Sequence, residues 1–218
     1  MNRIVVYTCI VGGYDVLAPP AFRDAGVDYI CFTDDACSRV NGWQMQPIEE
    51  DVSAGSSLGL VNRHHKFFPH RMLAGYRWSV YIDGNIRIRG RLSELVRRMD
   101  DHGAVLAMSA HPERTTLADE LEACIHKGKL SELQAETARQ QLAEYTRVGM
   151  PSDIRLSENS VLIRQHNDPR LIDAMETWWE ELLRWVPRDQ LSLPYVVWRT
   201  QIPHLLLAEN KRSGEYFT

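Results

Sequence analysis

Asp83-Gly84-Asn85 follows directly on the apolar run Trp78-Ser79-Val80-Tyr81-Ile82, which places a carboxylate and an amide oxygen at the end of a strand. Glycine between them lets a ligand come close to the backbone. Such an oxygen pair can hold a divalent cation, Mn or Mg, beside a departing diphosphate. One carboxylate is too few for a complete shell, and an Asp-Gly-Asn turn also occurs in α/β proteins that bind nothing there. A second element is Asn62-Arg63-His64-His65-Lys66. On a helix, Asn62 and Lys66 lie four residues apart on one face with Arg63 beside them. A guanidinium fork and a compact ammonium suit phosphate oxygens, whereas the plain alternative is a solvated basic face. His64-His65 is no metal motif, because adjacent helical residues diverge by about 100°.

Further candidates stand at other strand ends. Gly12-Gly13-Tyr14-Asp15 follows the first apolar run, where a nucleotide-binding loop would start, but it is not GxGxxG and Pro19-Pro20 intervenes before any helix. A dinucleotide-binding fold is therefore disfavoured, and a tight turn is the simpler reading. Glu158 precedes the run Ser160 to Arg164 and could serve as a base or accept from sugar hydroxyls. His166 follows that run as a metal ligand or phosphate donor, although a lone histidine at a strand end is more often structural. Asp189 and Gln190 come after Arg188 at the start of a helix, where spacing favours Asp189 as a cap over a site residue.

These residues need a sheet to carry them. Apolar runs at Ile4–Val11, Tyr29–Thr33, Trp78–Ile82, Ala104–Met108 and Ser160–Arg164 read as strands, several of them covered on both faces as in a parallel sheet. Helices are expected over Leu58–Phe68, Leu92–Met99, Leu117–Ile125 and Ser131–Val148, the last opened by a Ser131/Gln134 capping box and closed by Gly149. Pro169 opens a further helix whose Leu171, Met175, Trp178 and Leu182 recur at helical spacing, so its tryptophans read as core rather than as a stacking platform. The expectation is one α/β domain over 1–218, with an exposed helical excursion at about 117–151. A length of 218 residues, 44% hydrophobic and 25% charged, supplies a full core without a disulfide or zinc staple. The net charge of −4 argues against a nucleic-acid or anionic-membrane footprint. No run is long enough for an integral membrane segment. Four scattered cysteines without a CxxC pair suit a reducing cytoplasm.

The order of these pieces resembles the TOD1/MUCI70 type of glycosyltransferase-like family, found in plants and bacteria. The resemblance is carried by Tyr7 to Asp15, Cys31 to Asp35, Asn62-Arg63 with Lys66 and Pro69-His70, and Tyr81 to Asn85. It continues through His111-Pro112 with Arg114, Glu158 with Val161 and Arg164 to His166, and Arg188 to Ser192. It implies a GT-A-like fold: an open, mostly parallel nucleotide-binding sheet flanked by helices. By the same resemblance Tyr14 and Asp15 border the base or ribose, while Arg63 and Lys66 meet the diphosphate, with the Asn62 amide on the same helix face as a further donor-binding candidate. Asp83 and Asn85 form the metal end of a DxD-type motif, with His166 or Asp189 completing the shell. His111, Glu158, His166, Asp189 and Gln190 line the sugar and acceptor side, with Asp189 or Glu158 available as a base.

The implied reaction moves a sugar from a nucleotide-sugar donor, UDP-linked, to a glycan or lipid-linked acceptor. The setting would be bacterial polysaccharide assembly, in the cytoplasm or peripheral to the inner membrane. Two rivals stand beside it. One is a hydrolase, since a plant member of the family is associated with ceramide hydrolysis, though neither HExxH nor Gly-x-Ser-x-Gly occurs here. The other is a noncatalytic nucleotide- or glycan-binding module.

Overall fold

The computed structural model describes residues 3–35, 37–48, 57–210 and 214–218. Among them are seven strands: β1 (Ile4–Ile10), β2 (Val27–Thr33), β3 (Gln44–Pro47), β4 (Trp78–Ile82), β5 (Leu106–Ala110), β6 (Ser157–Arg164) and β7 (His204–Leu207). They form one sheet in the order β3-β2-β1-β4-β6-β5-β7. Every strand but β6 runs parallel; β6 is antiparallel to both β4 and β5. The unbroken apolar character of β1 has its cause in this position, since Val5, Tyr7 and Cys9 enter the core on one face and Ile4, Val6 and Ile10 the core on the other. The edge strands β3 and β7 carry no such signal. Gln44-Met45-Gln46-Pro47 is largely exposed, and an edge tolerates its proline.

The helices among the described residues are α1 (Leu58–Phe67), α2 (Pro69–Met72), α3 (Leu92–His102), α4 (Leu117–His126), α5 (Glu132–Arg147), α6 (Pro169–Arg184) and α7 (Asp189–Thr200). Local chemistry sets their starts. Ser57 accepts from Leu60 N at α1, and Asp168 accepts from Arg170 N at α6 with Pro169 in the first turn. Ser131 and Gln134 form the expected reciprocal box at α5. Helix α3 covers one face of the sheet with Leu92, Leu95, Val96 and Met99. The other face is covered by α1, α6 and α7, where Trp178 is fully buried and stacks on Phe67 at 3.9 Å.

The excursion is not the exposed insertion that its thin apolar face suggests. Ala135 and Ala138 are small enough to bring α5 close, and Tyr145 stacks on Tyr195 of α7 at 4.0 Å. The Tyr145 hydroxyl donates to Glu181 Oε2 at 2.7 Å, so a polar bond takes the place of missing apolar area.

Arg164, at the end of β6, is completely buried. Its guanidinium donates to the Lys66 carbonyl at 2.7 Å and to the Tyr7 hydroxyl, while Tyr7 donates in turn toward the His65 and Lys66 carbonyls. A cation beside the last carbonyls of α1 meets the negative end of the helix dipole. It thereby fixes the helix end against β1 and β6.

The antiparallel course of β6 also relocates His166. Arg164 pairs with Ser79, near the start of β4, so the residues after it sit at the edge opposite Asp83. The five residues of β4 separate the two positions by roughly 16 Å at ~3.3 Å per residue. His166 is therefore no partner of Asp83 in a metal shell. Instead its Nε2–H donates to the Leu73 carbonyl at 3.0 Å, and burial, reinforced by the nearby Arg164 charge, lowers its pKa to about 4. A histidine held neutral contributes stability above its unfolded pKa of about 6.5, lost as pH falls toward 4. Unfolding free energy should thus drop by up to about 1.4 kcal/mol per pH unit across that window, and denaturant titrations of His166→Gln should show a flatter profile there. Equal slopes in the two proteins would remove His166 as the cause.

Candidate active site

The carboxyl ends of β1 and β4 meet the amino end of β6 at one edge of the sheet. Asp83 N donates to Ser160 O at 2.9 Å, which ties the Asp83-Gly84-Asn85 corner to β6. Lys66, in the last turn of α1, reaches this corner from the helical layer. Its Nζ lies 2.7 Å from Asp189 Oδ2, 3.5 Å from Asp83 Oδ1 and 5.0 Å from the centre of the Tyr81 ring. The Tyr81 hydroxyl donates to Asp83 Oδ1 at 3.1 Å. Asp83 nevertheless keeps 40% of its side-chain surface exposed, whereas Lys66 keeps 6% and Asp189 14%.

Asp189 is the first residue of α7, yet its side chain makes no capping bond; it binds Lys66. Spacing favours the cap, and a lysine more than a hundred residues upstream overrides it. The Asp189 carbonyl is held as well, accepting from Trp178 Nε1 at 3.2 Å. Burial would raise the Asp189 pKa, but the charges of Lys66, Arg63 and Arg188 outweigh it and bring the value down to about 2. A carboxylate that acidic is a weak proton acceptor. In this structure the carboxylate is taken up by Lys66.

The loop after β1 forms the other wall. Gly12 and Gly13 both have φ above +60°, and Gly12 N donates to Asp34 Oδ2 at 2.8 Å, which turns the chain back across the strand end. A Cβ on Gly84 would stand 2.8 Å from Asp15 Cβ and 2.9 Å from Ile10 Cδ1, so only glycine lets this loop and the Asp83 corner close on each other. Asn62 Nδ2 donates to the Cys9 carbonyl at 2.6 Å, joining α1 to β1. Between them is a pocket of about 340 Å³ lined by Gly12, Tyr14, Asp15, Leu58, Asn62 and Arg63. Tyr14 stands at its rim with 89% of its surface exposed. Partial burial raises the Asp15 pKa.

Tyr14, Asp15, Asn62 and Arg63 thus share one pocket, and Lys66, Asp83 and Asp189 form one cluster beside it. Gln190 is half-buried in the first turn of α7, and Asn85 is exposed next to Asp83. Glu158 is buried in β6 opposite Ser109, close enough for its charge to act on His111. His111 is occupied with its own turn: Nδ1 accepts from Glu113 N and Arg114 N, and burial, then the Arg114 charge, lowers its pKa. His166 lies outside the site. Three contributors escape motif reading. Asp34 and Tyr81 stand in the quoted strand-end segments, but only their bonds to Gly12 and Asp83 reveal a role. Glu120, buried in α4, receives Arg114 Nε at 2.5 Å and lies 3.8 Å from Arg188, a pairing no local spacing signals.

Among the described residues, no three His, Cys, Asp or Glu side chains gather into an all-protein metal cage. Mg²⁺ does not need one, since it is commonly held by one or two carboxylates together with substrate phosphates. The exposed Asp83 carboxylate and the Asn85 amide fit that kind of site.

A family model described as TOD1/MUCI70, glycosyltransferase-like domain, matches residues 56–211. The chain belongs to the TOD1/MUCI70 glycosyltransferase-like family. No curated protein matches this family member in sequence. Solved structures extend the likeness to the fold. Mouse xyloside xylosyltransferase 1, in its apo form, aligns with a TM-score of 0.57 at 9% identity, over 94% of this chain and 84% of that one. The galactosyltransferase LgtC, in complex with donor and acceptor sugar analogues, aligns at 0.53 and 11% identity, over 93% and 72%. The WbbM bifunctional glycosyltransferase aligns at 0.52 and 10% identity, over 94% and 38%. The expected GT-A-like α/β architecture is therefore the observed one.

Asp189→Asn tests the anchor in this TOD1/MUCI70 chain. Lys66 would keep only Asp83 at 3.5 Å, and the variant should lose roughly 3 kcal/mol of unfolding free energy at pH 7. The Asp189 contribution is fully present above the unfolded carboxylate pKa of about 3.9 and lost as pH falls through about 2. The gap between wild type and variant should shrink across that range. A gap that stays constant down to pH 2 would show that the lost stability does not come from the ion pair.

Proposed function

We propose that this chain transfers a sugar from a UDP-linked donor to a glycan or lipid-linked acceptor, with residues 1–218 acting as one catalytic unit. The observation that carries the reading is the juxtaposition of the pocket at the β1 end with the Lys66–Asp83–Asp189 cluster, joined by Arg63, which lines the pocket and whose charge acts on Asp189. In this reading the exposed Tyr14 ring covers the base, and Asp15 accepts from ribose hydroxyls. Arg63 receives phosphate oxygens through its planar fork, while Lys66 supplies a fixed positive charge facing the charge that grows on the leaving diphosphate. Because Lys66 is already held by two carboxylates, its position does not have to reorganise during transfer.

A divalent cation arriving with the diphosphate would be held by Asp83 and Asn85 and would supply further charge neutralisation. Asp189 stays an anion and keeps Lys66 in place. Glu158 is the remaining candidate for accepting the acceptor proton in an inverting reaction, and Gln190 and His111 border that side. No helix among the described residues is long and apolar enough to cross a membrane. The cytoplasm, alongside polysaccharide assembly, is the setting this reading takes.

UDP at about 100 times its dissociation constant should stabilise the protein by roughly 2.7 kcal/mol, read as a rise in Tm. The rise should grow with Mn or Mg in wild type but not in Asp83→Ala. No shift with UDP, GDP or CDP would overturn the nucleotide-sugar reading. Asp83→Ala should also lower donor turnover at least about 100-fold, a loss typical of removing transition-state charge stabilisation, while Tm without ligand moves little because the side chain is partly exposed. A large fall in Tm with turnover retained would make Asp83 a structural turn residue.

A further inference from the structure

A second cavity, of about 260 Å³, adjoins Arg63 between the start of α1, the α4–α5 connection and the α6–α7 connection. Arg63, Lys129 and Arg188 line it with Ser57 and Gln134, and none of the described residues lining it is acidic. Each of Arg63 and Arg188 also keeps a buried Nε without a hydrogen-bond partner, so protein acceptors do not satisfy either guanidinium in full. Arg188 is held in place from behind, with its NH2 group 3.8 Å from Glu120 and 3.7 Å from Cys124 Sγ. Glu120 is shared with Arg114, so it cannot neutralise both guanidiniums. Three cations of three separate segments around one small cavity, with no acidic residue among its described lining, form a receptor for an oxyanion.

We infer that this cavity is an acceptor-side anion subsite, which takes a phosphate or carboxylate group carried by the molecule that receives the sugar. The inference rests on the transferase reading of the neighbouring cluster. Of the residues read as donor-binding only Arg63 borders this cavity, while Tyr14, Asp15, Asn62, Lys66, Asp83 and Asn85 do not, so a donor spread from the β1 loop to the Asp83 corner leaves the Lys129 and Arg188 side of it to a second anion. Arg188 directly precedes Asp189, which puts the subsite next to the Lys66 cluster on the side of α4 and α5. The segment 117–151, which supplies Lys129 and Gln134, would thereby select acceptors that bear a negative charge.

Titration calorimetry on the full chain saturated with UDP tests this, using inorganic phosphate and glucuronate as separate probes. At least one should bind, and the one that binds tells a phosphorylated acceptor from a uronate. Lys129 is exposed, so Lys129→Glu should fold normally. It should weaken the probe at least tenfold while leaving UDP affinity within twofold. Absence of binding by both probes, displacement of the probe by UDP, or equal probe affinity in Lys129→Glu would each overturn the subsite. Lys129-dependent probe binding in a protein that ignores UDP would support the anion cavity and defeat the transferase reading instead.

Discussion

A single buried ammonium holds the candidate site together. Lys66 belongs to α1, Asp189 to α7 and Asp83 to the corner after β4, and the two contacts of 2.7 Å and 3.5 Å join three segments far apart in the chain. A buried ion pair adds little net stability over a well-packed apolar substitute, because desolvating both charges offsets most of their attraction. What it does supply is position. Removing either partner would leave a charge stranded, so α7 must begin where Asp189 can reach Lys66. Arg164 fixes the opposite end of the same arrangement by bonding the Lys66 carbonyl and Tyr7. Backbone and side chain of one residue are thus clamped by two different cation contacts, and the ammonium has little freedom left.

Around this point the sheet edge divides its tasks by charge. The β1 side is built from glycines, an amide and an exposed tyrosine, which suit a planar base and hydroxyls. The helical side gathers Arg63, Lys129 and Arg188, with Arg63 common to both cavities. The overall charge of −4 conceals this gathering, because acidic residues elsewhere cancel it in the total. Gly84 is the point where the loop after β1 meets the Asp83 corner, as a side chain there would collide with Asp15 and Ile10 and hold the loop off the corner.

Much of the frame was legible along the chain. Strands that are covered on both faces tend to be continuously apolar, so β1, β4 and the second half of β6 announce themselves, whereas the buried polar stretch Ser157-Glu158-Asn159 does not; Asp83 is placed at a strand end by adjacency alone. Asn62, Arg63 and Lys66 share a helix face because four residues make about one turn. Capping boxes write the start of α5 into two residues. The weak points have equally physical causes. The edge strands β3 and β7 bury one face or none and carry little pattern. Helix α5 packs through alanines and a tyrosine hydroxyl, which an apolar count undervalues.

Periodicity, caps and turn residues thus determined which elements form and which side chains sit at their ends, because those depend on neighbours a few residues away. Tertiary structure alone decided what those ends face. The direction of β6 carried His166 to the far edge and Glu158 to the near one, although both flank the same strand. The long-range pairing with Lys66 turned Asp189 from a cap into an anchor, and Glu120 found Arg188 across two helices. Strand direction and helix docking are settled by burial of the whole core and by the neutralisation of buried charge. Neither has a signature within one stretch of sequence.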